Sequence, residues 1–214
     1  MHSKWTLKKK GVRTVNVLTS TNDTRRVTVA ATIMASGDQL TPFVIFKGSP
    51  TGRIASEQVP TYDHTSIYDL QKNAWMDERV MLRWVDEVIE PYVATAPEDV
   101  VPVLLLDSYR CHIMASVVNK ITKLGVEVIH IPGGCTGLVQ PLDVGYNRPF
   151  KVSIRKKWQE WMMNSVKDSG TITAPGREDV SAWIAESFWE MDKKCGVIKN
   201  AWLKSGYKWF EKNN

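Results

Sequence analysis

Two largely apolar runs lie near the middle of the chain, at residues 101–106 (VPVLLL) and residues 126–131 (VEVIHI). Neither has the sustained polar alternation of a half-exposed strand, so we predict strands buried on both faces of a parallel sheet. Between them, residues 114–124 carry an apolar stripe at helical spacing, and Gly125 follows as a natural helix end. Strand, helix and strand within some thirty residues indicate a parallel βαβ crossover.

The region upstream of this crossover alternates between strand-like and loop-like patterns. Residues 13–18 form a short β-prone run, and residues 19–24 (TSTNDT) are typical of a turn. The runs RRVTVAATIM and QLTPFVIFKG then flank a Gly-containing turn, which predicts a β-hairpin. Pro42 lacks an amide donor, so the second strand should be an edge strand or carry a bulge.

Helices are predicted over most of the remaining chain. Residues 48–72 have no sustained period and are interpreted as a long loop, whereas residues 75–93 have apolar positions at helical spacing. Asn73 is the predicted cap of that helix, and Pro91 should kink or end it. Further helices are predicted beyond Asp143, at residues 178–194 and at residues 198–204.

The composition bounds the class of protein. The chain has 214 residues, 43% of them hydrophobic, with nine tryptophans, which favours a packed globule with one sizeable core. No apolar run approaches the ~20 residues of a membrane span, and the N-terminus lacks a secretory signal pattern. Three cysteines are too few for a disulfide scaffold, so a reducing, intracellular setting is expected.

Charge is distributed unevenly along the chain. The net charge is +6 over residues 1–60, −5 over residues 61–150 and +4 over residues 151–214. Basic ends around an acidic middle suit a metal-using protein that acts on a polyanion. The candidate phosphate-binding residues are Lys8, Lys9, Lys10, Arg148, Lys151, Arg155, Lys156 and Lys157. For the three N-terminal lysines, a solvated face is the simpler alternative.

The candidate chemistry rests on two carboxylates. Asp107 directly follows the first apolar run, and Asp143 follows the second through a Pro-Gly-Gly turn at the start of a helix. Ligands bind at the carboxyl ends of strands in open α/β sheets, so the two side chains should meet at one rim. Paired carboxylates at such a place indicate a divalent metal.

Two blocks around these acids resemble a known family. LLLDSYRCH and QPLDVGYNRPFK, with 35 residues between the two acids, resemble the second and third catalytic blocks of the DDE superfamily, in particular the pogo-like branch of the mariner-type transposases. The resemblance implies an α/β, ribonuclease-H-like fold with a mixed sheet and flanking helices. It also implies Mg²⁺ (or Mn²⁺) bound by Asp107 and Asp143, two-metal phosphodiester chemistry, and His112 and Arg110 nearby as second-layer or phosphate-contacting groups.

The same resemblance sets expectations for organisation and partners. Residues 1–164 should form the catalytic core and residues 165–214 a helical extension packed on it. DNA is the expected partner and the nucleus the expected location, with a second copy of the chain as a further partner. No membrane and no small-molecule cofactor are expected.

One expected feature of the family is missing. The first acid of the family's triad lies on a central strand upstream of the segment that matches KWTLKKKGVRTV, and neither Asp23 nor Asp38 is a suitable substitute. We therefore expect the first catalytic strand to be missing, the two-ion site to be incomplete, and nuclease activity to be weak or absent. The gap in the sheet would be filled by residues 13–18 or by another chain, or the fold would be marginal.

Three alternatives remain open from the sequence. The closest is a domesticated, non-catalytic nuclear protein that binds DNA through phosphates alone. A zinc site from Cys111, His112, His130 and Cys135 has suitable ligand types without the spacing of a CxxC pair. A phosphoacceptor domain using Asp107 would not explain the QPLD block.

Overall fold

The computed structural model describes residues 26–97, 99–169, 174–193 and 196–208, and the strands within this range form two separate sheets. The first has the order β1-β2-β3, with β1 antiparallel and β3 parallel to β2, and the second is the parallel pair β4-β5. Their bounds are β1 Val27–Ile33, β2 Gln39–Lys47, β3 Ile67–Gln71, β4 Val103–Asp107 and β5 Glu127–Ile131. The mixed α/β architecture agrees with the predicted class.

Helices cover both faces of these strands. The α-helices are α1 Glu78–Trp84, α2 Glu90–Thr95, α3 Ala115–Lys123, α4 Thr136–Val139, α5 Asn147–Ser169, α6 Arg177–Lys193 and α7 Val197–Lys204. Wider, π-helical turns occupy Ile54–Gln58, Val85–Ile89 and Leu142–Tyr146, and a 3₁₀ turn occupies Val59–Thr61. Residues 8–10, 13–18 and 19–24, for which the sequence made predictions, lie outside the described residues.

The predicted hairpin is confirmed, with one correction. Gly37 sits in the β1-β2 turn at φ +103°, a conformation that favours glycine. β2 is the central strand of its sheet, so the alternative of an edge strand at Pro42 is wrong. The bulge is confirmed, because Thr41 and Pro42 together face Ala31 where the register shifts.

β3 lies inside the region interpreted as a loop, and that interpretation is wrong for Ile67–Gln71. The strand carries a charge, Asp69, at its centre, where a buried carboxylate would be costly if left alone. Arg79 from α1 forms two hydrogen bonds with this carboxylate, at 3.0 and 3.1 Å, and Asp69 is only 3% exposed. The strand therefore depends on a tertiary ion pair that has no local sequence signal.

The helical region after β3 is confirmed, but its start differs. Asp77, rather than Asn73, caps α1, since its side chain accepts a hydrogen bond from the Val80 amide at 3.0 Å. Pro91 falls in the first turn of α2, where its missing amide is tolerated, directly after the wider turn Val85–Ile89. The chain therefore remains helical through Pro91.

The βαβ crossover is confirmed in type and direction. β4 and β5 pair in parallel from Val103 opposite Glu127 to Asp107 opposite Ile131, and Gly125 ends the intervening helix at φ +80°. The prediction that both faces are buried is wrong, because Val103 and Ile129 are 51% and 49% exposed. Both side chains line an open cleft beside β4.

Two hydrophobic clusters pack on opposite sides of the strands. One joins β2 and β4 to α1 and α3, and includes Phe43, Trp84 and Leu106. The other joins β2 to α5, α6 and α7, and includes Phe188 and Trp202. The C-terminal helices thus share a core with the sheet, and the domain boundary near residue 164 stays a prediction. Among the described helices, none is long and apolar enough to span a membrane.

Gly145 permits a close helix contact beside the second carboxylate. A Cβ built on it would lie 2.6 Å from Ala201 Cβ and 2.7 Å from Ala201 Cα, distances at which one backbone must move. Helix α7 can therefore pack directly on the turn that carries Asp143 only because residue 145 has no side chain.

We expect Gly145→Ala to lower the free energy of unfolding by about 1–3 kcal/mol, because the added methyl group overpacks this contact. Urea unfolding followed by circular dichroism measures the change. Gly137→Ala, in α4, is the matched control, since its Cβ would meet nothing within 4 Å. Equal stability of the two variants would contradict the assigned contact.

Candidate metal and nucleic-acid site

Asp107 ends β4 and is held by the backbone and side chain that follow it. Its Oδ1 accepts a hydrogen bond from the Tyr109 amide at 3.0 Å and lies 2.6 Å from Nδ1 of His112. The carboxylate is 27% exposed, which leaves it accessible to a ligand. The sequence predicted His112 to be near Asp107, and the structure places the two side chains in direct contact.

The rim around Asp107 is tied to the neighbouring strand. Ser108 Oγ donates to the Ile131 carbonyl at 2.6 Å, and His130 Nε2 lies 3.0 Å from the carbonyl oxygen of His112. Because a carbonyl only accepts, Nε2 of His130 carries the hydrogen in this contact. These bonds fix the loop that follows β4 against the end of β5.

Asp143 lies in the π-helical turn Leu142–Tyr146 that leads into α5. Its Oδ1 accepts a hydrogen bond from Nδ2 of Asn147 at 2.7 Å, and its side chain is exposed. The sequence analysis did not single out Asn147. The spacing of four residues in a helical stretch is the signal that could have identified it.

The two carboxylates line the same cleft. Its volume is about 1010 Å³, and Asp107, His112, Asp143 and Asn147 contribute to its wall. Arg110 is exposed on the loop after β4 and does not belong to this lining. The structure therefore brings Asp107, His112 and Asp143 to one cleft and leaves Arg110 at the surface beside it.

The carboxylates of Asp107 and Asp143 have the chemistry that a hard divalent cation requires of its ligands. In each, one oxygen is oriented by a hydrogen bond, and within the described residues the second oxygen has no protein donor. Such oxygens are the ligands that Mg²⁺ and Mn²⁺ prefer, together with water. Across the described ranges, no group of three or more His, Cys, Asp and Glu side chains is arranged to hold a metal. The chemistry of these oxygens is compatible with such a cation, and the described residues form no complete metal site.

Three of the four residues considered for the alternative zinc site, Cys111, His112 and His130, are buried or hold other contacts. Cys111 is 3% exposed, and burial raises the pKa of its thiol to about 11, which disfavours the thiolate that zinc requires. His112 contacts Asp107, and His130 contacts the His112 backbone. In the part of the chain that the structure describes, these residues form no metal-binding cluster.

A basic stripe begins next to Asp143. Arg148, Lys151 and Arg155 are exposed on α5 at spacings of three and four residues, which places them on one helix face. Lys156 is also exposed, 3.8 Å from Glu160. The predictions for Lys8, Lys9 and Lys10 concern positions outside the described residues.

Lys157 differs from its neighbours on α5. Its Nζ lies 2.6 Å from Glu186 and 3.0 Å from Glu190 of α6, and its side chain is 16% exposed. Burial lowers its pKa, but the hydrogen bonds to these two carboxylates outweigh this and raise the pKa above its usual value. The charge is thus compensated within the fold.

Comparison with curated proteins finds relatives, several of which are named as pogo transposable elements. The mouse protein "Pogo transposable element with KRAB domain" is 25% identical over 211 residues, covering 92% of this chain and 33% of the relative. The human "Pogo transposable element with ZNF domain" is 25% identical over 161 residues, covering 74% of the chain and 11% of the relative. The human "Jerky protein homolog" is 32% identical over 133 residues, 58% of the chain and 22% of the relative.

The chain spans about a third of the length of the first of these relatives. No solved structure gives a significant match. The sequence profile of the DDE superfamily endonucleases matches residues 24–202, a range that includes both acidic blocks and most of the described fold. The chain therefore belongs to the DDE superfamily endonuclease family.

Proposed function

We propose that this chain binds DNA and holds a divalent cation through Asp107 and Asp143, as part of a site for phosphodiester chemistry. The main support for this proposal is that both carboxylates line one cleft. An exposed basic stripe starts at Arg148, five residues after Asp143. A cation between carboxylates can neutralise a phosphate, and the adjacent Arg and Lys side chains can hold the flanking phosphates.

In this proposal each residue has a defined task. His112 and the Tyr109 amide orient the carboxylate of Asp107, and Asn147 orients that of Asp143. A divalent cation held by Asp107 and Asp143 would supply Lewis-acid stabilisation of the attacking and leaving oxygens in a phosphoryl transfer. Arg110, exposed beside the cleft, would contact a phosphate. Lys157 would contribute least, because two glutamates already pair with it.

We infer that strand cleavage by the described residues is weak or absent. Two carboxylates leave a two-ion site short of ligands, and no third acidic side chain joins them within the described ranges. Relatives described as pogo transposable elements support DNA as the substrate class and the nucleus as the place of action. A nicking assay with Mg²⁺ that finds efficient cleavage, lost in Asp107→Asn, would overturn this inference.

We expect Asp107→Asn and Asp143→Asn each to weaken Mn²⁺ binding at least about tenfold, because each removes one charged oxygen ligand. Mn²⁺ is a suitable probe because the electron paramagnetic resonance signal of the free ion reports its concentration directly. Competition with Mg²⁺ then tests whether the same site takes both ions.

Asp99→Asn is the control for this measurement, since Asp99 is an exposed aspartate that does not line the cleft. It should bind Mn²⁺ as the unaltered chain does. The assignment of the two ligands is wrong if Asp107→Asn and Asp143→Asn bind as tightly as Asp99→Asn.

We expect the double variant K151A/R155A to bind duplex DNA more weakly and with a shallower salt dependence. Each lost phosphate contact should reduce the slope of log K against log salt by about 0.9, so the pair should reduce it by up to about 1.8. Fluorescence anisotropy with a labelled duplex at several salt concentrations measures this slope.

Lys123→Ala is the matched control, because Lys123 is exposed on α3. This helix packs on the hydrophobic cluster that includes Phe43 and Trp84, and α5 packs on the other cluster. Lys157→Ala is a second comparison, which should lower stability more than it changes the slope. Equal slopes for the double variant and Lys123→Ala would exclude the α5 stripe as the DNA contact.

A non-catalytic DNA-binding role is the second candidate, favoured because no third carboxylate joins Asp107 and Asp143 among the described residues. In that case DNA affinity should be insensitive to EDTA and to Asp143→Ala, while remaining steeply dependent on salt. A loss of affinity on chelation that Mg²⁺ restores would favour the metal-dependent role instead.

A further inference from the structure

Among the residues that the structure describes, two aromatic side chains that line the cleft are exposed. Trp75 is 51% exposed and Tyr109 is 46% exposed. An aromatic ring has large apolar faces, and leaving them in water forgoes the free energy that their burial would supply. Two such rings in the wall of one cleft therefore point to a ligand with flat faces of its own.

Both rings lie on the Asp107 side of the cleft. Tyr109 follows Asp107 by two residues, and its amide donates a hydrogen bond to that carboxylate. Trp75 precedes α1, and Ser116 at the start of α3 donates a hydrogen bond to Glu78 in the first turn of α1. The segment that carries Trp75 therefore lies beside the region that follows β4.

Contacts within the fold hold both residues in position. The ring of Tyr109 packs against the ring of His112, with centroids 5.7 Å apart and planes inclined by 71°. The amide of Trp75 donates a hydrogen bond to Oε1 of Gln71 at 3.1 Å. Because these contacts exist before any ligand binds, stacking on the two rings would require little further ordering of the protein.

A cationic side chain accompanies each ring. The guanidinium carbon of Arg26 lies 5.8 Å from the centroid of the Trp75 ring, and Arg26 is exposed. Arg110 directly follows Tyr109 and is exposed beside the cleft. Proteins that bind single-stranded nucleic acids combine these two features, because bases stack on the rings and phosphates pair with the cations.

We propose that this side of the cleft binds unpaired nucleotides of a DNA strand, with bases stacked on Tyr109 and Trp75. The phosphates of the same strand would pair with Arg110 and Arg26. Inside a duplex, neighbouring bases cover each other's faces, so a protein ring reaches those faces where a base is unpaired. The inference rests on the proposed function for DNA as the ligand, and adds that the strand beside Asp107 is unpaired.

The test compares a labelled blunt duplex with the same duplex carrying a short single-stranded extension, by fluorescence anisotropy with Mg²⁺ present. The unaltered chain should bind the extended DNA at least about fivefold more tightly, which is the lower end of what one stacked base contributes. Tyr109→Ala and Trp75→Ala should each reduce this preference, because each removes one ring. Tyr109→Phe keeps the ring and should retain the preference.

A fluorescent base separates stacking from a general loss of structure. 2-Aminopurine placed in the extension loses fluorescence when it stacks, so the unaltered chain and Tyr109→Phe should quench it more strongly than Tyr109→Ala. Trp189→Ala is the matched control, since Trp189 is an exposed aromatic residue on α6 that does not line the cleft. It should bind and quench as the unaltered chain does.

Three results would overturn this inference alone. The first is equal affinity for the two DNAs in the unaltered chain, with binding still weakened in K151A/R155A, which would leave the proposed function in place. The second is a loss of the preference in Tyr109→Phe, which would assign it to the hydroxyl group rather than to stacking. The third is an equal loss in Trp189→Ala and Tyr109→Ala. If neither DNA binds, the proposed function is wrong as well.

Discussion

The parallel pairing of β4 with β5 is the constraint on which the candidate site depends. It brings the carboxyl ends of both strands to one rim, so Asp107 and the loop that leads to Asp143 start from neighbouring positions. The bond from Ser108 to Ile131 and the contact between His130 and His112 then hold that rim together. Without this pairing, the two acids would be separated by 35 residues of sequence with no reason to share a cleft.

The second carboxylate is positioned by packing rather than by a strand. Asp143 lies in a π-helical turn, and α7 rests directly on that turn because Gly145 has no side chain. Helix α5 continues from the same turn and carries the exposed basic stripe. The packing of α7 on this turn therefore fixes the position of the Asp143 carboxylate and of the first residues of the basic stripe. In the proposed function this couples metal binding to phosphate binding.

Charges that resemble one another in the sequence have different roles in the fold. Asp69 and Lys157 are buried or nearly so and are paired, with Arg79 and with Glu186 and Glu190 respectively. Asp143 and Lys151 are exposed. The ion pairs of Asp69 and Lys157 join one secondary-structure element to another, since a buried charge needs a partner. Asp143 and Lys151 are available to a ligand. Burial therefore distinguishes these two residues from Asp69 and Lys157.

The sequence by itself determined the features that have a local physical cause. The hairpin at Gly37 and the crossover with its cap at Gly125 follow from turn chemistry and periodicity. The proximity of His112 to Asp107 was an expectation from the family resemblance, and the structure places the two side chains in contact. Membership of the DDE superfamily followed from two motifs, which the family comparison confirmed.

Only the tertiary structure decided what depends on distant partners. It paired β3 with β2 and compensated the buried Asp69 with Arg79. It also left Val103 and Ile129 exposed at the cleft, and paired Lys157 with glutamates about thirty residues away in sequence. Periodicity reports which face of an element is apolar. It does not report what covers that face, because the covering element is chosen by the packing of the whole chain.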